Sequence, residues 1–243
     1  EKQSINSFAV IGAGMSGVLA GIKLKEAGHP FTIFEKADRV GGTWRENTYP
    51  GIACDVPSHI YSYSFELNPD WSEFTSPGAE VQEYFEGVSK RYGIDEHIRF
   101  NEAVIRCTWM DGEWEIETEK GHIERVRWVI AATGILHHPK YPDIDGLDTF
   151  EGPMFHTARW DHDIDIAGKR IGLIGTGSSG VQITAAVAPE VENLTVFQRT
   201  AQWIVPNDRV VYTEEEKEAF RTDADLLQNL HNEMSTAFND GFA

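Results

Sequence analysis

Short apolar runs alternate along the chain with stretches whose apolar positions recur at helical spacing. Phe8–Gly12 (FAVIG) is apolar and β-prone, Gly-Ala-Gly turns the chain, and about Ser16–Ala27 has helical periodicity with Gly17, Ala20, Gly21 and Leu24 on one smooth face. Gly28 stops that helix and Phe31–Glu35 (FTIFE) reads as the next parallel strand, completing a βαβ unit. Between about Ala103 and Arg127, the segments AVIRCTWM, EWEIETE and HIERVRW alternate polar and apolar residues around Asp111-Gly112 and Lys120-Gly121, which predicts a small antiparallel meander. Trp128–Thr133 (WVIAAT) is a further strand, and a Pro-rich connector after it marks a domain boundary. The first pattern then recurs, with Arg170–Gly175 as strand, Ser179–Ala188 as helix stopped by Pro189, and Leu194–Phe197 as strand. From Thr213 an acidic helical region opens on a Thr N-cap.

These elements predict an α/β protein with two Rossmann-like units and a β-meander. The expected domains are 1–140, a linker 141–151, a second nucleotide-binding domain 152–212 and an acidic helical segment 213–243. The 21 Lys+Arg against 39 Asp+Glu leave a net charge of −18, which argues against a nucleic-acid or anionic-membrane surface. Cys54 and Cys107 make neither a disulfide framework nor a metal-ligand spacing, which fits a reduced, cytoplasmic setting. No apolar run approaches the roughly 18 residues that a membrane helix needs, and the absence of an initial Met suggests either a shortened chain or a leader ahead of it.

The turn of the first unit, Gly12-Ala13-Gly14-Met15-Ser16-Gly17, has G-x-G-x-x-G spacing. The first glycine permits the tight turn, the second lets backbone approach a pyrophosphate, and the third lets helix and strand pack closely. Glu35 closes the next strand 23 residues after Gly12, where a carboxylate can accept both ribose hydroxyls of an unphosphorylated adenosine, so this site suits FAD. The second turn, Gly175-Thr176-Gly177-Ser178-Ser179-Gly180, has the same spacing, but the same count of 23 reaches Gln198, followed by Arg199. A neutral side chain beside a guanidinium invites a 2′-phosphate, so this site suits NADPH.

Residues 8–200 resemble the flavoprotein monooxygenases with two dinucleotide folds, the class that holds the Baeyer–Villiger and the N- and S-oxygenating flavin-containing enzymes. The Baeyer–Villiger branch carries the pattern F-x-G-x-x-x-H-x-x-x-W-[P/D], matched here by Phe150, Gly152, His156, Trp160 and Asp161. The Trp160-Asp161 ending favours that branch over the N- and S-oxygenating one. Gly41-Gly42-Thr43-Trp44 resembles the loop over the flavin. By the same resemblance Asp55 sits near the reactive end of the flavin, Tyr61 contacts the flavin region, Thr200 joins Arg199 at the second nucleotide, and His156 and Trp160 couple domain movement to catalysis.

The resemblance implies an NADPH- and FAD-dependent enzyme that inserts one oxygen atom of dioxygen beside a ketone carbonyl. The family also uses an arginine beyond the second nucleotide unit, and neither Arg209 nor Arg221 lies in a motif that identifies it. At 243 residues the chain is about half the usual family length, so the C-terminal part of the family fold is expected to be absent and residues 1–243 are expected not to complete the oxygenation alone. Two alternatives stand beside this reading: an N- or S-oxygenating monooxygenase, and a non-catalytic nucleotide-binding module. A disulfide reductase would need a redox-active cysteine pair, which the sequence lacks.

Overall fold

The computed structural model describes residues 7–204 and 209–241; the parts of the expected domains at 1–6, 205–208 and 242–243 lie outside them. Contacts divide the chain into two compact units, Glu1–Glu46 with Gln82–Pro139 and Asn47–Val81 with Lys140–Ala243. The sequence pattern groups 47–81 with the first βαβ unit, whereas this stretch packs with the second compact unit. The reason is non-local pairing: Phe74 N–H donates to Val210 O at 2.9 Å and Tyr212 N–H to Ser72 O at 2.9 Å.

In the first unit, β1 (Phe8–Ile11), α1 (Met15–Glu26) and β2 (Phe31–Phe34) form the expected βαβ, followed by the single helical turn α2 (Thr43–Glu46) and, from Gln82 onward, by α3 (Gly78–Arg91). β3 (Ile98–Arg99) and β7 (Trp128–Ala131) complete a parallel sheet in the order β3-β2-β1-β7. β1 pairs β2 from Phe8↔Phe31 to Ile11↔Phe34 and pairs β7 from Phe8↔Trp128 to Ile11↔Ala131. Because later strands add on opposite sides of β1, the topological switch falls between β1 and β7, and a ligand crevice is expected at the carboxyl ends of those strands.

The buried stripe of α1 is Gly17, Val18, Gly21, Ile22 and Leu24, with Ala20 half-buried. A Cβ on Gly21 would come within 2.9 Å of Ile33, so its absence lets the helix lie close on β2. Each fully buried Val or Ile contributes about 1.5–3 kcal/mol. The expected meander is present as β4 (Val104–Met110), β5 (Glu113–Thr118) and β6 (Ile123–Val126). Asp111 and Gly112 both take positive φ, 51° and 81°, as a tight hairpin between twisted strands demands. Ile116 and Val126 pack against Ala9 and Phe34.

In the second unit, β8 (Arg170–Ile174), α4 (Ser178–Val187) and β9 (Asn193–Phe197) form the other βαβ, its two strands parallel from Arg170↔Asn193 to Ile174↔Phe197. Tyr49, Leu173, Ile183 and Val187 make its core. The acidic region is two helices, α5 (Glu214–Thr222) and α6 (Ala224–Asp240). Thr213 caps α5 in a full capping box with Glu216, and Asp223 ends α5 while capping α6 through Leu226 N–H. Among the described residues no helix is long and apolar enough to cross a membrane, and no cluster of side chains could hold a metal ion.

Candidate nucleotide-binding sites

The first glycine turn sits at the carboxyl end of β1. Gly12 has φ 100°, a conformation that a side chain would strain, and a Cβ there would lie 2.5 Å from Ala132 O just beyond β7. A Cβ on Gly17 would run into the Gly12 carbonyl oxygen. Gly14 is the N-cap of α1 and offers no side-chain hydrogen bond, so backbone alone forms the end of the helix. Such an end is suited to an anionic pyrophosphate.

Glu35 is buried, with 4% exposure, and its carboxylate accepts Ala13 N–H at 2.8 Å, Ala37 N–H at 2.9 Å and Arg45 Nη1 at 3.0 Å. A carboxylate has about four acceptor positions. With three engaged inside the protein, about one position stays open. Arg45 also donates to Arg39 O at 2.9 Å and to Glu46 at 2.9 Å. Sequence patterns miss Arg45, whose signal is a basic residue beside the Gly-Gly-Thr-Trp run.

That run lies against the turn. Gly41 N–H donates to Ala13 O at 3.0 Å, and a Cβ on Gly42 would approach Gly14 Cα to 3.0 Å. Gly42 precedes Thr43 and Trp44, which open α2. Gln82 braces the loop by donating to Val40 O and to Glu86, each at 2.7 Å.

The second unit repeats the geometry. Gly175 has φ 106°, Gly177 is the N-cap of α4 without a side-chain hydrogen bond, and a Cβ on Gly180 would lie 2.6 Å from Gly175 O. Around Gly177 a Cβ would meet nothing within 4 Å, so space remains at the helix end where backbone could meet phosphate. Thr176, Ser178 and Ser179 follow the same turn. Gln198, Arg199 and Thr200 are exposed just past β9.

Asp55 is exposed and its carboxylate receives Gln182 Nε2, from α4, at 2.6 Å. Tyr49 Oη donates to Gln182 Oε1 at 3.0 Å and accepts from Ser179 Oγ at 3.1 Å. Burial pushes the Tyr49 phenol above its ordinary range, opposed by the Ser179 hydrogen bond and reinforced by the Asp55 charge. Gln182 is another functional candidate that motif reading misses; its one signal is its place on α4 a turn beyond Ser179. Beside Asp55, the Cys54 thiol is buried and pushed up to about 11, chiefly by desolvation. Tyr61 is half-buried in a turn, its N–H donating to Pro57 O and Ser58 O.

The remaining pattern residues have local partners. His156 Nδ1 accepts Ala158 N–H at 3.1 Å, capping a short 3-10 turn, while its ring meets Tyr141 edge-on at 5.7 Å. Trp160 packs against the Tyr49–Ile183 core and meets Phe155 edge-on at 5.1 Å.

The sequence model of the family described as flavin-binding monooxygenase-like matches residues 5–237. A Baeyer–Villiger monooxygenase of Streptomyces coelicolor is 48% identical over 207 residues, covering 84% of this chain and 40% of that protein. The crystal structure of cyclohexanone monooxygenase from Rhodococcus sp. Phi1 bound to NADP+ superposes with a TM-score of 0.82 at 42% identity, covering 91% of this chain and 44% of that one. OTEMO in complex with FAD and NADP gives a TM-score of 0.84 at 33% identity over 96% of this chain and 44% of that one. The chain belongs to the flavin-binding monooxygenase-like family, and it spans about two-fifths of the length of these Baeyer–Villiger relatives.

Proposed function

We propose that the chain supplies the FAD- and NADPH-binding parts of a Baeyer–Villiger monooxygenase, in which a ketone, dioxygen, NADPH and a proton give an ester or lactone, NADP+ and water. The observation that carries this reading is the pair of glycine-turn helix ends without side-chain caps, one followed by buried Glu35 and the other by exposed Arg199. The unbroken run of pattern residues from Phe150 to Asp161 and the likeness to NADP-bound cyclohexanone monooxygenase support it.

In this reading Gly12, Gly14 and Gly17 shape the cradle for the FAD pyrophosphate, Glu35 takes a ribose hydroxyl, and Gly42, Thr43 and Trp44 border the cradle. Gly175 to Gly180 cradle NADPH, and Arg199 with Thr200 receives the 2′-phosphate through charge-assisted hydrogen bonds. The flavin, when bound, supplies hydride acceptance and oxygen activation. The protein binds, orients and excludes water. Asp55 and Tyr61 act on the flavin side, while His156 and Trp160 serve by holding the segment before β8 in shape.

The test supplies the whole monooxygenase to which this chain contributes its nucleotide-binding parts with FAD, NADPH, labelled dioxygen and a panel of ketones, amines and sulfides. One labelled oxygen in an ester or lactone is the expected result. Oxygen gained by amines or sulfides alone would assign the other branch, and bound flavin without NADPH oxidation would mark a binding module.

A further inference from the structure

The second unit contains a hydrogen-bond chain that runs in one direction. Ser179 Oγ donates to Tyr49 Oη at 3.1 Å, Tyr49 Oη to Gln182 Oε1 at 3.0 Å, and Gln182 Nε2 to Asp55 Oδ1 at 2.6 Å. The Gln182 amide has its orientation set by a second pair of contacts, since Oε1 accepts Ala53 N–H at 3.4 Å and Nε2 donates to Ala53 O at 3.1 Å. Flipping it would set donor against donor at Ala53 and acceptor against carboxylate at Asp55. Tyr49, at 6% exposure, lies among Leu173, Ile183 and Val187, so the middle of the chain is shielded from water. Each link in such a chain polarises the next.

One end of the chain is a hydroxyl on the first turn of α4, directly after the glycine turn, and the other is an exposed carboxylate. Ser179 has one proton to donate. A phosphate oxygen at the helix end would compete for it with a charge-assisted bond roughly twice as strong as the bond to a neutral phenol.

We propose that Tyr49 and Gln182 are positioning residues that couple dinucleotide occupancy at the first turn of α4 to the hold on Asp55. Without nucleotide, Ser179 donates to Tyr49 and the chain fastens the Asp55 carboxylate to Gln182. With nucleotide, Ser179 turns to phosphate, Tyr49 loses its donor, the Tyr49–Gln182 link weakens, and Asp55 is released toward the reacting groups. The inference rests on the reading that this unit takes NADPH.

The full chain, with tyrosine labelled at the phenol carbon, is titrated by NMR with and without NADP+, while calorimetry follows binding. NADP+ is expected to move the Tyr49 titration upward, because the Ser179 hydrogen bond that lowers it is withdrawn. In Ser179→Ala the titration starts higher, NADP+ moves it no further, and affinity falls roughly 10-fold or more with loss of a charge-assisted contact. Ser179→Thr, which keeps the hydroxyl, restores both. NADP+ that binds wild type without moving Tyr49, or that moves it equally in Ser179→Ala, overturns the inference alone. No heat from NADP+ in wild type overturns the functional reading and the inference with it.

In the whole monooxygenase, with FAD, NADPH and ketone supplied, Tyr49→Phe and Gln182→Met should each raise the share of NADPH oxidation that ends in hydrogen peroxide. Their double variant should match the larger single effect, since both cut one chain. Additive effects would overturn the link to Asp55.

Discussion

The Glu35 carboxylate accepts the backbone N–H of Ala13 at 2.8 Å, so the acid that closes β2 is a strut of the first glycine turn. It also holds the buried Arg45 side chain, with which it forms an ion pair at 5% and 9% exposure. Without Glu35 the Arg45 side chain keeps Glu46 and Arg39 O, but the Ala13 and Ala37 N–H groups lose their acceptor, at about 1–3 kcal/mol for a buried unsatisfied group. Glu35→Ala is therefore expected to lower the unfolding free energy of the FAD-free protein by about 2 kcal/mol in urea titrations. Unchanged stability together with lost flavin would show that Glu35 acts on the ligand alone.

The glycines of the second turn separate structure from binding. A Cβ on Gly180 would meet Gly175 O at 2.6 Å, whereas one on Gly177 would enter open space. Gly180→Ala should force helix and strand apart, costing about 1–3 kcal/mol as overpacking does, with loss of nucleotide binding as a consequence. Gly177→Ala should leave the melting temperature nearly unchanged, since the unfolded-state gain of about 0.4–1 kcal/mol offsets a weaker N-cap. NADP+ affinity should nevertheless fall in Gly177→Ala, as calorimetry would record. A melting temperature that drops equally in both variants would contradict this division.

Local pattern carried much of this architecture. The two βαβ units and the meander are written in periods of two and 3.6 residues and in Gly and Asp-Gly turns, and Thr213 announces α5 by its side chain alone. The compact unit that holds 47–81 is not written locally, because Ser72 and Phe74 pair with Tyr212 and Val210 far along the chain. Arg45 and Gln182 were illegible for a related reason. Each is an ordinary polar residue until folding brings it to Glu35 or Asp55.

His59 should make the second unit sensitive to acid. Its ring is buried at 2% exposure, meets Tyr212 and Phe220 edge-on at 5.2 and 5.0 Å, and has no hydrogen-bond partner at either nitrogen among the described residues. Burial, and secondarily the His231 charge, push its pKa down to about 4, below the ordinary 6.5. The folded protein thus binds fewer protons than the unfolded chain between those values. Its contribution is complete above pH 6.5, is lost as pH falls toward 4 and is constant below that. The loss is about 3 kcal/mol. His59→Leu should fold normally at pH 7 and show a shallower decline in unfolding free energy across that window; identical declines would show that His59 is not the titrating group.

Arg199 offers the sharpest test of coenzyme choice. β9 ends at Phe197, and the exposed Gln198 and Arg199 follow it, where the first unit has the buried acid Glu35 after β2. A carboxylate there would repel a phosphate, while a guanidinium can grip one with parallel N–H bonds that no ribose hydroxyl matches. Losing one charge-assisted contact costs about 1.5–3 kcal/mol, or roughly 10- to 150-fold in affinity. Arg199→Ala should therefore weaken NADPH by that factor and leave NADH nearly unchanged, measured as dissociation constants at fixed ionic strength. Because the contact is electrostatic and solvent-exposed, the wild-type preference should also shrink as salt is raised, and that slope should vanish in the variant. Equal weakening of both coenzymes would mean that Arg199 supports the loop rather than reading the 2′-phosphate.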